Sequence, residues 1–404
     1  MRALLAAVLG LFTLTAGAVR VAPAPPSVYS PRPDDPWNRI FGLLFTRTIR
    51  VAPFPDGEPF DHYEEGDRAI EALEPSFMTK RGTDALLSGT GRDALLAALR
   101  QALDERTPRP ALDRALMQAD LWSAFDALAH VTARTRDPFR DRAAALLTPL
   151  AAMIRKVALT PGELAALPDN YAAGRAPLGM PDVFNPGSEW MEVVASAHRL
   201  HDEAVQFRRA SRVFVRPIVR PADEPSFLAS LAEGPSARVH HAVLIMQTLL
   251  VDSRGRIVPT RLVSDVQTRQ ITTEGRRGSS AYGDAIAHQF ELSRRLLRAG
   301  TNGGFVHFGS DAPAFLPTAG NDYGFASPQI DQGGAGLPRL TTLKNRCGGM
   351  CHGSDGASFM TFDLTAPPRV ARLRVPNDDR ARAVAAAKES RDDFKRLIAA
   401  AFSR

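Results

Sequence analysis

Cysteine is rare in this sequence: only Cys347 and Cys351 occur in 404 residues. A single cysteine pair excludes a disulfide-rich scaffold, which needs several bridges to replace a hydrophobic core. A structural zinc site would need further cysteine or histidine ligands from a second cluster, and the sequence contains no such cluster. The chemistry of these two cysteines is therefore local to one short segment.

Lysine is also scarce, since only five of the fifty basic residues are lysine. The formal net charge is +6, but acidic residues are interspersed with the arginines along the chain. No basic segment interleaved with aromatic residues occurs, and that pattern is what a nucleic-acid-binding surface requires. We therefore predict no nucleic-acid partner.

Several common catalytic motifs are absent from the sequence. There is no G-x-S-x-G, no G-x-x-x-x-G-K-[ST], no H-E-x-x-H and no G-x-G-x-x-G. These motifs mark the serine nucleophile elbow, the phosphate loop, the zinc-protease helix and the dinucleotide-binding turn. Whether the chain is an enzyme stays open on this evidence.

Long apolar runs are missing beyond the N-terminus. Met1 and Arg2 form a short positive region, residues 3–15 are apolar, and Ala16-Gly17-Ala18 has the small-x-small pattern of a cleavage site. This arrangement predicts a signal peptide over residues 1–18 and a periplasmic or secreted protein. No later stretch approaches 18 uninterrupted apolar residues, so we predict no integral membrane segment after signal cleavage.

The two cysteines belong to the segment Cys-Gly-Gly-Met-Cys-His-Gly-Ser-Asp-Gly, residues 347–356. His352 follows the second cysteine directly, although only nine histidines occur in the chain. In a C-x-x-C-H site two thiols bond covalently to haem and the adjacent imidazole binds the iron. The spacing here is C-x-x-x-C-H, one residue longer.

Over these ten residues the chain resembles the haem-attachment segment of c-type cytochromes. The resemblance implies haem c as cofactor, thioether bonds to Cys347 and Cys351, and His352 as the proximal iron ligand. It also implies electron transfer or another redox function with a periplasmic redox partner that the sequence does not identify. If the chain is an enzyme, the resemblance implies a haem-dependent oxidoreductase.

Two residues are candidates for the distal iron ligand. Met360 is the only methionine after His352 and lies eight residues from it. His307 lies upstream, in a stretch from Gly300 to Leu340 that is rich in glycine, proline and scattered aromatic residues. A filled sixth position favours electron transfer, whereas an open one favours a peroxidase-like or ligand-binding role.

Two other interpretations of the cysteine pair remain. Cys347 and Cys351 could form a local disulfide in an exported structural or interaction protein without a cofactor, although so small a loop stabilises a fold little. They could also act as a metal or redox-thiol pair. His352 discriminates between these interpretations, because haem attachment requires an adjacent histidine, whereas a disulfide does not.

The remaining pattern predicts an α+β fold. We expect a proline-rich extended leader over residues 19–60 that contains a short docked element, a helical region over 61–172, and a β-rich antiparallel region over 173–276. Residues 277–404 should hold a helix, a long loop and the haem-attachment segment. The helical region shows three apolar faces, formed by Leu95, Leu96, Leu99 and Leu103, by Met117, Leu121, Phe125 and Leu128, and by Leu147, Leu150, Ile154 and Val157.

More local signals place individual elements. Thr160-Pro161-Gly162-Glu163 is a capping box that predicts a short helix through Leu167. Strand-like runs occur at 191–194, 212–215, 243–251 and 257–266, and residues 252–255 form a turn that predicts a hairpin between the last two. We also predict helices over 281–298 and 378–402, the latter capped by Asn377.

Two further pairs of histidines are close in sequence. His198 and His201 would share one face of a helix, and His240 and His241 are adjacent. The sequence shows no carboxylate that would converge on either pair. We therefore interpret these histidines as solvated or hydrogen-bonded structural residues.

Overall fold

The computed structural model describes residues 28–51, 66–71, 86–87, 89–133, 139–185, 187–194, 206–218, 227, 239–271, 285–308, 313–315, 340–342, 369–371 and 379–403. Within these ranges the protein has an α+β fold: a helical layer packs against one end of an antiparallel sheet. The predicted fold class is therefore confirmed. None of the helices in these ranges is both long and apolar enough to cross a membrane.

The helices, numbered in chain order, mostly precede the sheet. They are α1 (Pro36–Phe45), α2 (Thr90–Asp104), α3 (Ala111–Ala133), α4 (Arg140–Lys156), α5 (Pro161–Ala165), α6 (Asn170–Leu178), α7 (Arg294–Arg298), α8 (Asp379–Glu389) and α9 (Asp392–Ala401).

Helix α1 is the short element expected within the leader. Asp35 caps it by accepting a hydrogen bond from the Trp37 backbone N–H at 2.9 Å, and Pro36 occupies the first helical turn, where no backbone donor is needed. Trp37 and Phe41 are buried, and the helix packs on α2. The element is therefore part of the core.

The three apolar helix faces are confirmed. All members of the second and third faces are buried, as are Leu95 and Leu99 of the first, whereas Leu96 and Leu103 are partly buried. The capping box is also confirmed, because the Thr160 hydroxyl accepts from the Glu163 backbone N–H and the Glu163 carboxylate accepts from the Thr160 backbone N–H. Local pattern was sufficient for these elements because an amphipathic helix encodes its buried face at a spacing of 3.6 residues.

The main sheet has seven strands in the described ranges, and every neighbouring pair is antiparallel. Its spatial order is β11 (Arg369–Ala371), β3 (Met191–Val194), β4 (Arg209–Pro217), β5 (Val239–Val251), β6 (Ile257–Ile271), β7 (Ala285–Leu292) and β8 (Phe305–Phe308). In the same described ranges, two small two-stranded sheets pair β1 (Thr46–Val51) with β2 (Gly66–Glu71) and β9 (Pro313–Phe315) with β10 (Leu340–Thr342).

The predicted hairpin is formed by β5 and β6. Its turn is held by Asp252, whose carboxylate accepts from the backbone N–H groups of Arg254 and Arg256 at 2.9 Å each. Gly255 provides the left-handed residue that the turn requires, at φ 79°. The strands predicted at 191–194 and 212–215 are confirmed as β3 and as part of β4.

The helix predicted over residues 281–298 is wrong. Residues 285–292 form strand β7, and only Arg294–Arg298 are helical. Ile286 and Phe290 are four residues apart, which fits one helix face but equally one strand face, because four is a multiple of the strand period of two. Pairing with β6 on one side and β8 on the other decided in favour of the strand.

The single helix predicted over 378–402 is two helices instead. The break falls at Ser390 and Arg391, where Arg391 has extended backbone angles and begins α9. Asn377, the expected cap, lies outside the described residues. The break lets Lys388, near the end of α8, reach Asp126 and Asp393 at once.

Among the described residues, two hydrophobic clusters hold these layers together. The larger joins α1 to α4 with the C-terminal helices and the end of the β5–β6 hairpin, and the smaller lies between the sheet and α6. Gln118 of α3 links helix and sheet: its amide donates to the Val251 carbonyl and accepts from the Val251 N–H, both at 2.8 Å. Arg294 and Asp120 add a buried bidentate ion pair between α7 and α3.

Candidate functional site

His307 is the only residue of the predicted haem site that lies within the described ranges. Cys347, Cys351, His352 and Met360 lie outside the described residues. Their arrangement therefore stays a prediction, and the structural description of the site begins with His307.

His307 lies on β8, which forms one edge of the seven-stranded sheet in the described ranges. It is paired in register with Phe290 of β7, and the two rings stack with centroids 4.6 Å apart and an interplanar angle of 16°. The imidazole is exposed, whereas Phe290 is buried. One face of the ring is thus supported by the core while its edge remains accessible.

A tight connection fixes the position of β8 relative to β7. Ser293 caps α7 through its hydroxyl, and its backbone N–H donates to the Gly304 carbonyl at 2.7 Å. Gly303 has φ 62° and lies so close to Asn170 that a Cβ atom there would be 2.1 Å from the Asn170 carbonyl oxygen. Only glycine fits this contact, and the contact anchors the start of β8 on α6.

The imidazole of His288 lies beside that of His307. His288 is on β7, two residues before Phe290 on the same face, and its Nδ1 is 2.9 Å from Nε2 of His307. Burial and the neighbouring His307 both lower the pKa of His288. The two ring nitrogens are within hydrogen-bond distance, so one of them donates and the other accepts.

The adjacent histidines on β5 form a different kind of pair. The Nδ1 atoms of His240 and His241 are 2.6 Å apart, and the His241 ring lies 6.1 Å from that of Trp190. Burial, together with His240, lowers the pKa of His241 to about 4. These are hydrogen-bonded histidines at the start of a strand. His198 and His201 lie outside the described residues.

A buried charge cluster connects α3 to the C-terminal helices. Lys388 donates to Asp126 at 2.7 Å and to Asp393 at 3.0 Å, and Arg208 of the loop before β4 lies 3.2 Å from the same Asp126 oxygen. The side chains of Lys388 and Asp126 are fully buried. Burial raises the pKa of Asp126 to about 6, although Lys388 and Arg208 lower it.

An open cleft of about 400 Å³ borders this cluster. Gln206, which lines the cleft, and the next residue, Phe207, have left-handed backbone angles, with φ of 53° and 59°. Oδ1 of Asp126 and Oε1 of Gln206 are buried and have no hydrogen-bond partner among the described residues. Because Lys388 and Arg208 already compensate the charge of Asp126, the cluster acts foremost as a tie between α3, α8 and α9. The cleft is lined by Asp126, Ala129, His130, Ala133, Gln206, Ser390, Arg391, Asp392, Asp393 and Arg396.

Sequence reasoning missed both of these arrangements. His288 and His307 are 19 residues apart in the chain. Because residues 281–298 were predicted to be helical, the pairing of two strands that brings these histidines together was not predicted. Asp126 gave a weak signal, since it is a carboxylate directly after Phe125 of an apolar helix face. Its partner Lys388 is 262 residues away, which no local pattern reveals.

No family model, no curated protein and no solved structure matches this chain. Within the described ranges no three His, Cys, Asp or Glu side chains converge in a way that could hold a metal ion. The functional argument therefore rests on the chain's own residues.

Proposed function

We propose that this chain is an exported haem protein in which a c-type haem is bonded to Cys347 and Cys351, with His352 as the proximal iron ligand. The observation that carries the proposal is the C-x-x-x-C-H spacing of the chain's only two cysteines with an adjacent histidine. When bound, such a haem supplies one-electron redox chemistry. Electron transfer with a periplasmic redox partner is the role this chemistry favours.

The donor set of the chain fits such a group. Two thiols and an imidazole are present at the attachment segment, and a second imidazole, His307, is accessible at the sheet edge. Histidine ligands of metals are normally oriented by a hydrogen bond at their other ring nitrogen, and His288 already makes such a bond to His307. If His307 is the distal ligand, its Nδ1 is the nitrogen left to bind, because Nε2 faces His288.

Met360 is the alternative distal ligand, and its sulfur would favour a higher reduction potential than a second imidazole. The chain's own contribution differs in the two cases. With His307, the sheet edge and the stacked Phe290 ring orient the ligand. With Met360, the ligand lies only eight residues after the proximal His352 in the chain.

The test is expression in a bacterial periplasm together with the cytochrome c maturation machinery, followed by denaturation and a pyridine haemochrome spectrum. We expect covalent haem in the wild-type chain and none in the Cys347→Ser/Cys351→Ser double variant. His352→Ala should also reduce attachment strongly, whereas Met350→Ala, between the cysteines, should not. A known c-type cytochrome produced in the same cells verifies that maturation is active.

A protein without haem and without free thiols, in cells where that cytochrome matures, would overturn the proposal in favour of a Cys347–Cys351 disulfide. A haem-containing product permits the second step. Electron paramagnetic resonance of His307→Ala and Met360→Ala then identifies the distal ligand, because only loss of the true ligand converts a low-spin iron to high spin.

A further inference from the structure

We propose that His288 and His307 form a binding site for a divalent late transition metal, with Cu²⁺ the best fit, at the exposed edge of the sheet. The site shares His307 with the candidate distal haem ligands, but it uses no residue of the attachment segment and only described residues. Neutral imidazoles are preferred ligands of copper, nickel and zinc.

The distance between the two nitrogens carries this inference. Nδ1 of His288 and Nε2 of His307 are 2.9 Å apart. A metal ion bonded to both nitrogens at about 2.0 to 2.1 Å would therefore have a nitrogen–metal–nitrogen angle of about 90°. A tetrahedral angle of about 109° would require the nitrogens to be roughly 3.4 Å apart. The pair therefore fits the right angles of a square-planar or octahedral site, which Cu²⁺ and Ni²⁺ favour, better than the tetrahedral geometry of zinc.

The backbone holds the two rings in this relation. His288 and His307 lie on neighbouring antiparallel strands and on the same face, so their separation is set by the sheet and not by a flexible loop. Phe290 stacks on His307 at 4.6 Å and restricts its rotation. Placement on regular strands is what distinguishes a preorganised pair of ligands from two histidines that meet by chance on a surface.

The site is accessible and incomplete. His307 is exposed and His288 is half-buried, so an ion can reach the pair from solvent. In the described ranges no third His, Cys, Asp or Glu side chain joins them. The remaining positions would be filled by water, which leaves them open to exchange. Among divalent first-row ions, affinity for such nitrogen sites is greatest for Cu²⁺.

The adjacent pair His240 and His241 provides an internal comparison. Its Nδ1 atoms are only 2.6 Å apart, and the same calculation encloses an angle of about 79°, too small for either preferred geometry. His241 also contacts Trp190 and is partly buried. The two pairs of histidines therefore differ in geometry, and of the two only His288 and His307 have a nitrogen separation that allows a preferred coordination angle.

The experiment uses the full mature chain carrying Cys347→Ser and Cys351→Ser. These changes remove thiols that would bind or reduce Cu²⁺, and they prevent haem attachment, so the outcome does not depend on the proposed haem. Isothermal titration with CuSO₄ should show one tight site. Electron paramagnetic resonance of the 1:1 complex should show coupling of the copper to two imidazole nitrogens.

His288→Gln and His307→Gln should each weaken the tight site at least about tenfold and leave one coupled imidazole, whereas His240→Gln should leave it unchanged. Circular dichroism verifies that each variant is folded. ZnCl₂ in place of CuSO₄ should bind at least about tenfold more weakly. The absence of a tight Cu²⁺ site, or a site that survives both substitutions at residues 288 and 307, would overturn the proposal and leave a hydrogen-bonded pair of histidines.

Discussion

The cluster around Lys388 allows a quantitative prediction about stability. Substituting Lys388 by Met keeps most of the side-chain volume but removes the charge that compensates Asp126 at 2.7 Å and Asp393 at 3.0 Å. Breaking a buried ion pair on one side typically costs about 3 to 5 kcal/mol, because the remaining charge is desolvated and unpaired. We expect the lower end, about 3 kcal/mol, since Arg208 still lies 3.2 Å from Asp126 and Asp393 also faces Arg391.

The double variant Asp126→Asn/Lys388→Met separates loss of the pair from loss of packing. Removing both charges should restore the free energy of unfolding to within about 1 kcal/mol of the wild type, because no buried charge at Asp126 is then left unpaired. Urea denaturation of the wild type, both single variants and the double variant gives the coupling energy, which should be at least about 2 kcal/mol. If Lys388→Met costs less than about 1 kcal/mol, water must solvate the charge of Asp126, and the argument that this charge is desolvated would be refuted.

The same cluster predicts a pH dependence. Burial raises the pKa of Asp126 to about 6 in the folded protein, above its unfolded value of 3.8, so the folded state binds more protons between these values. Stability from this group is therefore present at low pH and is lost as pH rises through 6. From pH 7.5 to pH 5, Asp126 should contribute a gain on the order of 1 kcal/mol.

Comparison with Asp126→Asn isolates that contribution. Lys388 lowers the pKa of Asp393 against the effect of burial, and this second carboxyl gives the opposite trend in both proteins. The difference in unfolding free energy between wild type and Asp126→Asn should therefore shift in favour of the wild type as the pH falls. A difference that is flat from pH 7.5 to 5, or one that moves the other way, would contradict a raised pKa.

Three further predictions concern the fold and the histidines. Gly303→Ala should lower the free energy of unfolding by about 3 kcal/mol or more, because the new Cβ would lie 2.1 Å from the Asn170 carbonyl oxygen. Gly179 also has a left-handed backbone but has nothing within 4 Å of such a Cβ, so Gly179→Ala should cost only about 1 kcal/mol. Equal losses of stability in thermal denaturation would contradict the steric argument. Gln118→Leu should lower the free energy of unfolding by about 2 to 3 kcal/mol, because the backbone N–H and C=O groups of Val251 lose their partner. The control Gln101→Leu, at an exposed position, should change that free energy by no more than about 0.5 kcal/mol in urea denaturation. NMR titration should find His241 neutral down to about pH 5, since burial and His240 lower its pKa to about 4, and an ordinary titration near 6.5 would disprove that environment.

The sequence was a good guide where structure is local. The apolar faces of α2, α3 and α4, the capping box at Thr160 and the β5–β6 hairpin turn are all encoded within a few residues, and all are confirmed. Each has a short-range physical cause, such as the 3.6-residue period, the reciprocal cap or the side chain of Asp252. The C-x-x-x-C-H segment is also local in sequence, and the haem attachment that we propose for it needs only residues that are neighbours in the chain.

The tertiary structure decided what depends on distant partners. Residues 285–292 carry an apolar spacing compatible with a helix or a strand, and pairing with β6 and β8 made them a strand. That choice brought His288 beside His307, and the break between α8 and α9 brought Lys388 to Asp126. Short-range preferences of this kind differ by less than the free energy of packing, so contacts between residues far apart in the chain determine which element forms and which side chains meet.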